Sequence, residues 1–269
     1  MAFCWQNAFA NPLKTLTHFT SEQLADNLYV LKSERSNTNV GVFIGQESIV
    51  LIDPVVGNVN NTVLVNAIKT ISDKPIKYVI NSHSHPDHSG ANAFYIEQGA
   101  SIVLHNREPA KNQIAFKETY SLDMGNETIK LFSFVSHSKD DVLIQFQHRN
   151  VLFMGDTYMH NIYPHAYVGG SEGLYRVIDK TLALTNDDSK IITAHGNFIT
   201  SRSQFLDFQK HAKAWYQRIN LLKDELSIEE IADDETLITI SKNFRPLSLK
   251  NLKRRLKRTV ESEQFVKRE

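Results

Sequence analysis

The chain has 269 residues, 41% of them hydrophobic and 22% charged, which excludes disorder, collagen-like repeats and a disulfide-stapled miniprotein. Thirty Lys and Arg balance thirty Asp and Glu, so no global basic field draws the molecule to nucleic acid or anionic lipid. The lone cysteine, Cys4, excludes an internal disulfide and a Cys-rich metal cage, and no apolar run approaches the roughly 20 residues of a membrane span.

The first ten residues end in Ala8-Phe9-Ala10, a small-x-small pattern of the kind signal peptidase cuts. They carry no basic region, and Gln6 and Asn7 interrupt the apolar stretch. Two readings of residues 1–24 stand side by side: the remnant of an export signal, which implies a periplasmic or exported protein, or an N-terminal arm of a cytoplasmic one.

Leu28–Lys32, Asn39–Ile44 and Ser48–Ile52 are rich in β-branched and aromatic residues and predict three strands, with Gly45 in the turn between the last two. Apolar residues at Val63, Val65, Ala67, Ile68 and Ile71 predict an amphipathic helix over Asn60–Ile71. A buried strand, Lys77–Ile80, leads into a His-rich loop. A helix over Ser89–Gln98, a strand over Ser101–Leu104 and a helix near Glu108–Phe116 follow. The second half repeats the theme, with strands predicted at Thr128–Phe134, Val142–Phe146 and Val151–Met154, a helix at Glu172–Leu184, a strand at Ile191–Ala194 and a long helix at Ser203–Leu222. No Pro/Gly/Ser linker separates the halves. They predict one α/β body over residues 25–225, with helices outside and two sheets inside.

Residues 226–269 are predicted as a basic helical extension packed on the same domain. Lys250, Lys253, Arg254, Arg255, Lys257 and Arg258 surround Leu252 and Leu256, spaced four apart. Such a helix either docks an anionic partner or lays a narrow apolar stripe on the body and solvates its charges.

The sharpest signal is His83-Ser-His-Pro-Asp-His88, directly after the strand that ends near Ile80. Imidazole and carboxylate suit zinc-like ions, and a loop after a strand is anchored at one end. In an extended stretch His83 and His85 point the same way and reach one ion. Asp87 and His88 lie past Pro86, where the chain turns, and face a second. Gly90 removes a side chain where the backbone passes close to the site. His137, Asp156 and His195 each follow a short apolar strand in the same manner, so all seven groups are expected at one edge of the two sheets, in one cleft.

This ordered series resembles the metallo-β-lactamase superfamily over roughly residues 25–225, which implies a four-layer αββα sandwich. The resemblance implies one metal held by His83, His85 and His137, a second held by Asp87, His88 and His195, and Asp156 bridging them. Asp53, in Leu-Ile-Asp-Pro, matches a carboxylate that orients a ligand histidine in these proteins. Two zinc ions are the expected cofactors, and the hard oxygen of Asp156 also admits iron or manganese. Best-known zinc β-lactamases carry Cys where this chain has Asp156, and the oxygen-reducing di-iron members carry Glu where His85 stands. An aspartate bridge resembles glyoxalase II, lactonases and broad hydrolases. Motifs of the nuclease branches are missing.

The resemblance thus implies a dinuclear hydrolase in which a bridging hydroxide attacks an ester, thioester, lactone or amide of a small acyl substrate, with Asp87 relaying the proton. Glyoxalase II-type thioesterase, β-lactamase and a non-catalytic metal-bearing scaffold are the alternatives. Tyr158, His160, Tyr163, His165 and Tyr167 crowd the loop after Asp156 and are expected to line the substrate pocket, with Tyr158 as an oxyanion donor. His105 and His148 read as surface histidines, and Met124 and Met154 as core.

Overall fold

The computed structural model describes residues 19–33, 38–55, 61–105, 108, 110–197 and 199–266. The Ala8-Phe9-Ala10 pattern and Cys4 lie outside these residues. The first sheet holds seven strands in sequence order: β1 (Phe19–Ala25), β2 (Leu28–Ser33), β3 (Asn39–Ile44), β4 (Ile49–Ile52), β5 (Ile76–Ile80), β6 (Ser101–His105) and β7 (Gln113–Phe116). β1 to β4 form an antiparallel meander, and β4 to β7 run parallel. The helix α1 (Thr62–Lys69) connects β4 to β5, and α2 (Pro86–Ser89) with α3 (Asn92–Glu97) connects β5 to β6.

The second sheet holds β8 (Thr119–Asp123), β9 (Thr128–Phe134), β10 (Asp141–Phe146), β11 (Val151–Phe153), β12 (Lys190–Ile192) and β13 (Ile199–Thr200), with only β11 and β12 parallel. Helices α4 (Gly170–Leu184), α5 (Arg202–Leu222), α6 (Ile228–Ala232), α7 (Glu235–Ser241) and α8 (Leu249–Val266) complete the described chain. None is long and apolar enough to cross a membrane.

Alternation along the strands builds three apolar layers between four layers of structure. On β3, Val40, Val42 and Ile44 face α1 and α3, while Phe43 faces the opposite sheet. On β10, Leu143 faces the helices of the second half, while Val142, Ile144 and Phe146 face inward. Successive strand side chains point to opposite faces, so a strand buried on both faces is apolar throughout. Gly41 lets its strand pack tightly: a Cβ there would sit 2.9 Å from Ile52 Cδ1 of the neighbouring strand and 3.0 Å from Phe153 Cε1 of the opposite sheet. The architecture is the expected αββα sandwich.

Several elements differ from the sequence reading. The stretch Gln113–Phe116 is a parallel edge strand, not the end of a helix, because its Ile114 and Phe116 join the inter-sheet layer. The helix expected over Ser89–Gln98 is the shorter α3, and a separate turn, α2, precedes it within the His-rich loop. β1 begins at Phe19, so the sheet takes up the last residues of the segment 1–24. β1, β8 and β13 were not anticipated. β1 and β8 are edge strands with half-polar patterns, and β13 has only two residues. Met124 and Met154 are core residues, His148 is exposed, and His105, read as a surface histidine, is buried at the end of β6.

Candidate metal centre

β5 delivers Asn81, Ser82 and His83 at its carboxyl end, and His85 remains extended (φ −62°, ψ 149°) before Pro86 opens α2. Proline at the first helical position has its φ already set for the turn, so the chain bends there. That bend carries Asp87 and His88 round to a second face. The loop is tied down on both sides: Thr38 Oγ1 donates to the Asp87 carbonyl at 2.9 Å and Asn81 Nδ2 to the His88 carbonyl at 3.1 Å. A Cβ at Gly90 would collide with the Pro86 carbonyl oxygen, one turn back in the same short helix.

Asp53, at the end of β4, adopts a left-handed backbone (φ 46°) that is costly for a non-glycine residue. This conformation aims its carboxylate at the loop. It accepts from Ser82 N at 2.8 Å, from Ser82 Oγ at 2.6 Å and from His88 Nδ1 at 2.9 Å. Burial alone lowers the pKa of His88, but the Asp53 carboxylate, with Asp156 and Asp87, outweighs it and raises the net value. With Nδ1 committed to Asp53, His88 presents Nε2 to the cleft.

The second sheet supplies the remaining groups. His137 follows β9, its Nδ1 donating to the His165 carbonyl at 3.0 Å. Its loop is wrapped around Asp141, a buried carboxylate that accepts from Ser136 N (3.1 Å), Ser138 N (2.9 Å) and Ser138 Oγ (2.6 Å). Asp156 follows β11 through Gly155, whose positive φ (54°) and closeness to Ser82 leave no room for a Cβ. His195 follows β12 and forms an isolated antiparallel bridge with Thr38, while Asn39 N donates to the Ala194 carbonyl at 2.7 Å. These bonds stitch the two sheets together at the cleft.

The seven groups meet as two sets. Ligand atoms of His83, His85, His137 and Asp156 lie within 4.8 Å of one another, and so do those of Asp87, His88 and His195. His85 Nδ1 is 2.9 Å from His83 Nε2 and 3.2 Å from His137 Nε2. Asp156 reaches both sets: Oδ2 is 3.5 Å from His137 Nε2, and Oδ1 is 3.2 Å from His195 Nε2 and 3.6 Å from His88 Nε2. Asp87 Oδ2 lies 3.4 Å from His195 Nε2 at the more exposed rim.

Electrostatics favour the ligating forms of His83, His137 and Asp156. Burial and the neighbouring imidazole of His88 push His83 down to about 2, and burial pushes His137 down to about 4. Burial opposes ionisation of Asp156, but the imidazoles of His195, His88 and His137 hold it well below the usual carboxylate range. Neutral imidazoles and an ionised carboxylate are the forms that bind a cation. His88 Nε2 is buried with no hydrogen-bond partner, and His137 Nε2 aims a lone pair at His85. An unpaired buried acceptor is costly, so this donor set fits a pair of divalent cations.

The family model of the metallo-beta-lactamase superfamily matches residues 34–172, half of the chain, and spans six of the seven groups. The chain belongs to this superfamily. It is 23% identical over 179 residues to a hydroxyacylglutathione hydrolase of Prochlorococcus marinus (strain MIT 9301), covering 64% of this chain and 69% of that one. Among solved structures, a beta-lactamase domain protein from Burkholderia ambifaria shares the fold with a TM-score of 0.67 and 13% identity, covering 90% of this chain and 86% of its own. The sec-alkylsulfatase Pisa1 from Pseudomonas sp. does so with a TM-score of 0.69 and 17% identity over 94% of this chain. This superfamily member spans only 51% of the sulfatase.

The aromatic loop after Asp156 is less uniform than its sequence. Tyr158 is fully buried, its ring packed edge-on against Phe205 and Phe208 and its hydroxyl 3.3 Å from His160 Nδ1. Tyr163 is buried between Trp215 and Phe244. Both rings belong to the helix-side core. The aromatic residues beside the ligands are His165 and Tyr167, stacked at 5.3 Å, with Tyr167 5.5 Å from the His137 ring. Ser82 and Asp141 were missed. The Asp140-Asp141 doublet ahead of an apolar strand was the available signal for Asp141, but only the fold shows which carboxylate turns inward.

Proposed function

We propose that this protein is a dinuclear metal-dependent hydrolase, with zinc as the expected metal, that cleaves an ester, thioester, lactone or amide of a small substrate. The observation that carries the reading is Asp156, one carboxylate within reach of both imidazole sets. One metal would be held by His83, His85 and His137, the other by Asp87, His88 and His195, with Asp156 shared. An all-nitrogen-and-oxygen donor set also admits iron or manganese. When bound, the metals supply Lewis acidity and bring the pKa of water toward neutrality.

The chain's own residues supply positioning and proton movement. Asp53 fixes the ring and tautomer of His88, and the His165 carbonyl does the same for His137. Asp87, with its side chain 55% exposed, stands where the cleft opens to substrate and takes up the proton released during attack. No serine or cysteine nucleophile is required.

Metal analysis of the purified protein, followed by a panel of chromogenic esters, lactones, thioesters and nitrocefin at defined metal loading, tests this reading. The expected result is about two metals per chain and turnover of at least one acyl class, abolished by chelator and by Asp87→Ala. Trace metal with chelator-insensitive activity, or full loading without turnover of any acyl class, defeats it, the latter in favour of a metal-bearing scaffold. The glyoxalase II-type reading is favoured by the similarity to the hydroxyacylglutathione hydrolase, and preference for a glutathione thioester in the same panel would select it.

A further inference from the structure

The basic C-terminal extension returns to the metal centre. The apolar stripe of α8 packs on the helix-side core, with Leu256 fully buried and Leu252 beside it. Further along α8, buried Glu263 accepts from Ser171 N at 2.5 Å, from Ser171 Oγ at 2.8 Å and from Asn220 Nδ2 at 2.6 Å. Ser171 opens α4 just after Val168 and Gly169, whose amides donate to the carbonyl of Ser136, the neighbour of His137. Glu263 therefore ties α8 to the start of α4, whose preceding residues bond the neighbour of His137.

Two turns earlier α8 presents Arg255 and Arg258, whose guanidinium carbons lie 5.3 and 5.0 Å from the Tyr167 ring centroid. Tyr167 in turn stacks on His165 and touches His137, so a single ring separates these arginines from a ligand. Lys253 and Lys257 of the same helix are paired with Glu229 and Glu261. Among the described residues no ion pair includes Arg255 or Arg258. Arg255 Nη1 is buried without a hydrogen-bond partner, and so is Nε2 of His165, the residue stacked on Tyr167. Burial and the Arg258 charge push Arg255 down to about 10, which still leaves it cationic at neutral pH.

A largely buried guanidinium beside a second one, with aromatic faces and no carboxylate as partners, is an uncompensated charge. Its fork of N–H donors matches the oxygens of an anionic group. We propose that Arg255 and Arg258, seated on Tyr167, form an anion subsite of the metal centre, and that the substrate carries a small oxyanion substituent near its scissile acyl group. This inference rests on the hydrolase reading for the acyl group, but the subsite itself is testable without turnover.

The experiment compares 4-nitrophenyl acetate with 4-nitrophenyl hydrogen glutarate on the metal-loaded full chain, and titrates glutarate, inorganic phosphate and sulfate calorimetrically. Wild type should prefer the anionic ester. Arg258→Ala, at an exposed position, and the conservative Arg255→Lys should each lower that preference about tenfold, mainly through KM, as loss of one charge-assisted contact implies. Exposed Arg254→Ala on the same helix should leave the preference unchanged, which separates a specific subsite from a general basic field. The oxyanion whose affinity falls about tenfold in Arg258→Ala names the substituent. Turnover of both esters with preference and all three affinities unmoved by Arg258→Ala and Arg255→Lys overturns the subsite and leaves the hydrolase reading intact. Arginine-dependent binding with neither ester turned over upholds the subsite and counts against the hydrolase reading.

Discussion

Asp53 contributes to the centre without belonging to either ligand set. Its left-handed backbone is tolerated because three hydrogen bonds, two from Ser82 and one from His88, hold it there. Asp53→Ala should leave the fold in place but free the His88 ring and tautomer. Loss of such an outer carboxylate typically weakens metal binding by about 10- to 100-fold, measurable by competition with a coloured chelator. Unchanged metal affinity would show that Ser82 alone orients the ring.

A second buried carboxylate gives a pH signature. Burial raises the pKa of Asp141 from the ordinary 3.8 to about 7, against the opposing hydrogen bonds from Ser138 and Ser136. Between those two values the native state retains a proton that the unfolded chain has released. Raising the pH through this window therefore removes stability, and the loss levels off above about 7. Asp141→Asn cannot titrate, so the difference in urea midpoint between variant and wild type should shift in the variant's favour from pH 5 to pH 8. A pH-independent difference would refute the assignment.

Among the elements, the short turn after β11 is constrained in two ways at once. Gly155 combines a positive φ with a backbone pressed on Ser82, where a Cβ would lie 2.7 Å from both Cβ and Oγ. Gly155→Ala should cost roughly 1–3 kcal/mol from backbone strain and overpacking together, read from denaturant unfolding. The same displacement moves Asp156, so metal affinity should fall with stability. A variant of full stability and full affinity would mean that the turn tolerates the side chain.

Across the whole molecule, the centre is a clasp between two sheets. His83, His85, Asp87 and His88 come from the first, and His137, Asp156 and His195 from the second. Cations bound there add stability by mass action, about 2.7 kcal/mol at a free metal concentration 100 times Kd. Chelation should lower the melting temperature, and re-addition of zinc should restore it. A melting temperature indifferent to metal would show that the apolar layer and the bonds from Asn39 and Thr38 already clamp the sheets without help.

The sequence by itself determined the inner strands, the long helices and the clustering of the seven histidine and aspartate side chains at one edge of the sheets. Strands buried on both faces must be apolar, long amphipathic helices repeat their pattern over several turns, and a histidine cluster after a strand has few other uses. Edge strands such as β1 and β8 and the two-residue β13 escaped notice because a half-solvated or very short strand leaves little pattern to read. Only the tertiary structure decided that Tyr158 faces the core, that Asp141 rather than Asp140 turns inward beneath His137, and that the arginines of α8 come to rest on Tyr167. Those outcomes depend on which surfaces meet in space and on which of two neighbouring side chains a loop turns inward, and neither is encoded in any local periodicity.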